Sequence, residues 1–291
     1  MTHPRKRHAG ARILFGLLAT IVSMSAGCTP TEQPPIPFTG LTKDLRIRWS
    51  AEPGIDLLTG PAVIVRAYRE SYVVGGLMAN PAYYYPGFEH AVPQNGPNVS
   101  PLIRPLVTGD SQLERRGFQI ATPIVGTWRE HILSLTGDPT SGYTAKVCVW
   151  DTGTGVLAPN GQYRYPNRLP SNSMWSVRAG IGTLAVRITI TPPPPFEPDP
   201  TKKSQQGSAP NPSTDIFGGW KIRAADSLGI ASWMDQRSDW PLDDFRLTLN
   251  ACGERAPDLL TGQGNFITVG DHPRSDFPTL PADPGWPAAG T

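Results

Sequence analysis

Residues 128–150 read Trp128-Arg129-Glu130-His131-Ile132-Leu133-Ser134-Leu135, then Thr136-Gly137-Asp138-Pro139-Thr140-Ser141-Gly142, then Tyr143-Thr144-Ala145-Lys146-Val147-Cys148-Val149-Trp150. The middle stretch is dense in turn formers. The last alternates, with Tyr143, Ala145, Val147 and Val149 on one side. Two such runs about a turn predict an antiparallel hairpin. Leu184-Ala185-Val186-Arg187-Ile188-Thr189-Ile190 repeats the period of two, with Leu184, Val186, Ile188 and Ile190 on one face. Gly219-Trp220-Lys221-Ile222-Arg223-Ala224 resumes it. In residues 244–251, Phe245, Leu247 and Leu249 alternate, which favours one more strand. That strand would carry Cys252 to a sheet edge or turn near Cys148.

Upstream of the hairpin the period changes. Residues 57–79 predict a helix, with Thr59 to cap it and Pro61 in its first turn, where a missing N–H costs little. Ile64, Ala67, Tyr68, Ser71, Tyr72 and Gly75 form one small-and-aromatic face. Arg66, Arg69 and Glu70 lie off that face, and Asn80-Pro81 ends the helix. An aromatic loop follows, Tyr83-Tyr84-Tyr85-Pro86-Gly87-Phe88-Glu89-His90. Residues 192–215 are rich in Pro, Lys, Ser and Gln and predict a flexible insertion loop within the sheet. Residues 256–291 predict an irregular extension draped over the surface. The expected fold is α+β, a curved antiparallel sheet packed on an N-terminal helix, over residues 55–255.

The N-terminus carries an address. Arg5, Lys6, Arg7 and Arg12 precede an apolar run, Ile13-Leu14-Phe15-Gly16-Leu17-Leu18-Ala19-Thr20-Ile21-Val22, and then small residues up to Cys28. This is the order of a secretory signal peptide, residues 1–27. The run is shorter than the roughly 20 apolar residues of a bilayer-spanning helix. Ala26-Gly27-Cys28 resembles the lipobox of bacterial lipoproteins, which implies a diacylglyceryl group on the Cys28 thiol. Ser25 departs from that pattern, where Leu is usual, and Ser25 with Gly27 also suits ordinary signal-peptidase cleavage. Each buried acyl methylene contributes about 0.8 kcal/mol, so two or three chains anchor firmly. Residues 28–54 open with repeated proline and read as an extended spacer between lipid and body.

Removing residues 1–27 leaves 264 of 291 residues, enough for one large domain. A net charge of +2, much of it in the signal segment, gives no basis for nucleic-acid binding. The chain has three cysteines. With Cys28 lipidated, Cys148 and Cys252 remain as an even pair, which outside the cytosol is usually oxidised. Two buried free thiols are the other reading. A disulfide across roughly 100 residues is worth up to about 4.7 kcal/mol in the chain-entropy model. Neither cysteine has a second ligand at metal spacing.

The segments 57–79, 128–150, 184–190 and 220–225 together resemble the cone-shaped α+β fold of the nuclear transport factor 2 (NTF2-like) superfamily, which includes SnoaL-like proteins. The Arg-, Pro-, Gly- and Ala-rich composition resembles that of high-GC actinobacterial proteins, and His131-Ile132-Leu133-Ser134-Leu135 through Val147-Cys148-Val149-Trp150 resembles exported actinobacterial proteins, which with Cys28 implies a mycobacterial-type lipoprotein. The NTF2-like resemblance implies a curved sheet around N-terminal helices that encloses a pocket, used by enzymes and by plain binding modules alike. In the enzymes an Asp or His acid/base sits in that pocket. Glu89-His90, Glu130-His131 and Asp151 are the polar groups available here.

No residue is assigned a catalytic role. The chain lacks a Gly-x-Ser-x-Gly elbow, a His-Glu-x-x-His pair, a Gly-Lys-Ser phosphate loop and a Gly-x-Gly-x-x-Gly turn. Asp151-Thr152-Gly153 matches the aspartic-protease triplet but has no second copy, so it reads as a turn. Trp220, Trp233 and Trp240, with Tyr83, Tyr84 and Tyr85, either line an apolar pocket for a lipid or glycan or are core and surface loop. The expectation is an envelope lipoprotein on the outer face of the plasma membrane. It binds an envelope lipid, glycan or protein, without metal or cofactor. A SnoaL-like pocket enzyme, working by proton transfer or hydrolysis on a small apolar substrate, is the alternative.

Overall fold

A computed structural model describes residues 37–100, 103–105, 122–166, 182–227, 238–257 and 270–290. The expected signal segment 1–27, Cys28, the first part of the expected spacer and Trp233 lie outside the described residues.

The hairpin is present as β2 (Ile124–Asp138) and β3 (Gly142–Trp150). β4 (Thr154–Leu157) and β5 (Tyr163–Arg164) follow, then β6 (Thr183–Thr191) and β7 (Lys221–Asp226). These strands run β5-β4-β2-β3-β6-β7, all antiparallel. Register shifts at Ile132/Ser134 and Thr189/Ile190 bend the strands, and the sheet curls into a half-barrel.

One strand falls where a spacer was expected. β1 (Asp44–Ala51) lies within residues 28–54 and pairs parallel with β2, Trp49 opposite Glu130 and Ser50 opposite His131. Its sequence, Asp-Leu-Arg-Ile-Arg-Trp-Ser-Ala, alternates apolar and polar. Leu45, Ile47 and Trp49 face inward and are buried. The run at 44–51 belongs to the sheet and not to a spacer.

The inner face of the sheet packs on α1 (Pro61–Met78). Gly60 and Pro61 begin the helix, and Ala79 closes it in the left-handed region at φ 48°. A side chain at Gly75 would collide with the Tyr84 ring, so the close approach of the aromatic loop requires glycine there. A short helical turn, α2 (Phe88–Ala91), follows the loop. Ile132, Val147, Val149, Val186, Ile188, Ile190 and Ile222 supply the sheet's share of this core.

The outer face carries α3 (Leu242–Glu254), where a strand was expected. Phe245, Leu249 and Cys252 follow at intervals of four and three, and all are buried against Trp150, Ala185 and Trp240. The i, i+2 pattern misled because Leu247, its middle member, is 69% exposed. Cys252 therefore reaches the sheet from a helix. It is disulfide-bonded to Cys148 of β3, with Cα atoms 5.2 Å apart across 104 residues.

Two further expectations are modified. Residues 192–215 are tied down rather than loosely held. The Asp199 carboxylate accepts from the Thr201 amide and hydroxyl and from the Trp220 indole at 2.7–3.1 Å. The Gln205 amide donates to the Leu58 carbonyl at 2.8 Å, and Ala209 exchanges both backbone hydrogen bonds with Trp286. Prolines remove eight backbone donors from residues 192–215, and Glu197, Thr201, Lys202, Lys203, Gln205 and Ala209 are among those that find fixed acceptors. The C-terminal extension runs over the surface as expected, with most of its described residues exposed or half-buried, but it is pinned at a few buried side chains. Phe277 and Trp286 are both fully buried, and the Trp49 amide donates to the Asp283 carbonyl at 2.7 Å, so the extension lines the free edge of β1. Among the described residues no helix is long and apolar enough to cross a membrane.

Candidate functional site

α1 places Arg66, Arg69 and Glu70 against the sheet, where all three are buried, contrary to their expected place off the packed face. The helix turns roughly 100° per residue, so positions three and four apart share a side. Glu70 meets three converging donors. The Trp49 indole reaches Oε1 at 2.8 Å, while the Tyr85 hydroxyl and the Trp286 indole both reach Oε2 at 2.7 Å. The Arg66 Nε stands 3.8 Å from Oε1, and its guanidinium lies 4.3 Å from the Trp286 ring centroid. Arg66 also donates to the carbonyls of Leu57 and Pro284, each at 2.8 Å. Burial pushes the Glu70 carboxyl up to about 7, against the opposing pull of Arg66 and the three donors.

Glu130 sits one strand along on the same inner face. Arg69 bonds both of its oxygens at 2.9–3.2 Å, and the Trp128 indole adds 3.0 Å. Burial raises this carboxyl too, with Arg69 opposing. Both inner carboxylates are thus saturated by fixed donors. Together they tie α1, β1, β2, the aromatic loop and the C-terminal arm. Removing one partner of such a buried pair costs about 3–5 kcal/mol, because the other charge is stranded.

His131, one of the several polar groups weighed for an acid/base role, is on the outer face. Its Nδ1 is 2.8 Å from Ser50 Oγ, and its Nε2 is 3.4 Å from Glu52 Oε1, which also pairs with Arg255 at the end of α3. Burial holds the His131 imidazole below its ordinary range, although Glu52 pulls the other way. The order hydroxyl, imidazole, carboxylate is that of a proton relay. The spacing on the carboxylate side is long for one. Ser50 and His131 are also cross-strand neighbours, which accounts for their contact.

The remaining candidates are scattered. Glu89 pairs with Arg104, and His90 Nε2 lies 2.9 Å from the Gly218 carbonyl and 3.5 Å from Asp215. Asp151 is buried and accepts from the Tyr165 hydroxyl. Trp220 packs in the inner core and Trp240 in the cluster under α3, on opposite faces of the sheet, so they do not line one pocket. Among the described members of that aromatic set, only Tyr85 joins Glu70. The sequence reading passed over Trp49, Ser50, Glu52, Glu70 and Trp286. A usable signal existed for one of them: Glu70 and two arginines interrupt an otherwise small-and-apolar helix. Among the described residues no group of three His, Cys, Asp or Glu side chains could hold a metal. Comparison of the chain with protein-family models, curated proteins and solved structures returned no match.

Proposed function

We propose that this protein is an exported envelope lipoprotein, anchored through Cys28, whose folded body acts as a non-catalytic binding or interaction module. The observation that carries this reading is the Cys148–Cys252 disulfide. It accounts for two of the three cysteines and suits an oxidising compartment. The third, Cys28, is then the one thiol left, and it stands at the end of a signal-type segment. The saturation of Glu70 and Glu130 supports a binding role for the body, because their donors are committed to holding the fold.

The curled sheet with α1 on its inner face supports kinship with the NTF2-like cone. The parallel β1, the outer helix α3 and the Trp286 side chain inside the core are additions to that plan. One observation favours the second reading, a SnoaL-like pocket enzyme: Glu70, pushed up to about 7 among aromatic rings, has the character of a general acid/base.

Detergent phase partitioning of the full-length protein expressed in an actinobacterial host tests the anchor. The wild-type chain is expected in the detergent phase, and Cys28→Ser in the aqueous phase or retained as an uncleaved precursor. Equal partitioning of both into the aqueous phase would remove the lipid from the proposal.

A further inference from the structure

The outer face of the sheet holds an unbalanced charge. Arg48 of β1 and Arg129 of β2 are paired residues on adjacent strands, so their side chains leave the same face side by side. Like charges placed directly opposite destabilise a sheet. Arg48 is compensated by Asp283 at 2.6 Å. Arg129 is not: its Nη1 makes one long contact to the Thr127 carbonyl, 3.5 Å, and no carboxylate pairs with it among the described residues. It is also half-buried, and burial together with the Arg48 charge holds its guanidinium below the ordinary range.

Two more donors beside it lack partners. Trp150 is the cross-strand neighbour of Arg129 and is 3% exposed, and its indole Nε1 has no hydrogen-bond partner. Thr152, two residues on, is fully buried with its hydroxyl unpartnered. The guanidinium lies against the next residue, Gly153, where a Cβ would stand 2.8 Å from Arg129 Nη1. Glycine thus permits the guanidinium to approach the turn that bears Thr152. Burying a polar group without a partner costs about 1–3 kcal/mol. A fold that saturates Glu70 and Glu130 on one face leaves an arginine, an indole N–H and a hydroxyl unsatisfied on the other.

We propose that Arg129, Trp150 and Thr152 form a binding site for an oxyanion, the carboxylate or phosphate group of an envelope component. A planar guanidinium offers two parallel N–H donors to such a group, and the indole and hydroxyl supply neutral donors that do not repel it. This rests on the reading of the body as a binding module and gives that module a ligand class. Ser50 and His131, on the same face, border the site.

The test is a titration of the full-length protein, purified in detergent with the disulfide intact, with inorganic phosphate and separately with acetate at constant ionic strength. The readout is the indole N–H resonances, the Trp150 signal being assigned by its disappearance in Trp150→Phe. Saturable movement of that signal by either anion is expected, and the anion that saturates first names the oxyanion. Arg129→Gln should abolish the movement while thermal unfolding stays within a few degrees of wild type; Arg129→Lys should retain part of it. Movement that persists unchanged in Arg129→Gln, or no saturable movement with either anion, overturns the site. Neither result bears on Cys28, so the partitioning experiment still judges the anchored-module reading separately.

Discussion

At the scale of single residues, Glu70 is where burial and hydrogen bonding oppose each other most directly. Burial wins, and the folded carboxyl titrates at about 7 instead of near the 4.5 of an unfolded chain. The folded state therefore binds a proton more tightly than the unfolded state does. Stability from this group is greatest below the unfolded value and is lost as pH rises from about 4.5 to about 7. Glu70→Gln keeps the size and one accepting oxygen but cannot ionise. Subtracting its unfolding free energy from that of wild type, across urea titrations at several pH values, should leave a term that falls by a few kcal/mol over that window. A flat difference would mean that Glu70 titrates normally. The sequence marks position 70 as a break in a small-and-apolar helix but not as a buried acceptor. A Glu four residues after an Arg on a helix ordinarily signals a solvated pair, and only tertiary donors on Trp49, Tyr85 and Trp286 change its meaning.

At the scale of elements, alternation was a sound guide wherever one face of a strand was buried. It located β2, β3, β6 and β7. It failed for α3, where three apolar residues at even spacing came to lie on two sides of a helix. β1 was missed because the prolines ahead of it drew the whole segment into the spacer. The buried anchors of the C-terminal arm were missed because a Pro-rich run reads as irregular, and irregular was equated with superficial. Its proline carbonyls are instead acceptors: Pro284 receives Arg66, Pro281 receives Arg48 and Pro278 receives the Thr127 hydroxyl, at 2.7–2.9 Å. Trp286 is the anchor of this arm, edge-on to Tyr85 and bonded to Glu70. Trp286→Ala should cost about 3–5 kcal/mol in chemical unfolding, as for other buried Trp truncations. It should also free the arm from the edge of β1, read as faster amide exchange at Trp49 than at Val147 in the central strand β3. A change below about 1 kcal/mol with unaltered exchange would mean that Trp286 does not pin the arm.

At the scale of the whole molecule, three layers divide the work. α1 and the inner sheet face hold the saturated ionic network. The sheet itself is closed at one edge by the C-terminal arm. The outer face carries α3, the disulfide and the unpaired Arg129. The cysteine count conveyed the covalent cross-link, because that depends on residue identity more than on packing. It conveyed nothing of the outer face, whose Arg48–Arg129 pairing arises only from the parallel register of β1 on β2. The proposed covalent chemistry is a lipid on Cys28, beside the bond between Cys148 and Cys252. Intact-mass spectrometry of the full-length protein, purified in detergent with and without reductant, reads both at once. The account predicts a chain beginning at Cys28, carrying added acyl mass, and gaining two hydrogens on reduction. A chain that begins elsewhere without acyl mass, or one whose Cys148 and Cys252 both alkylate before reduction, would contradict it.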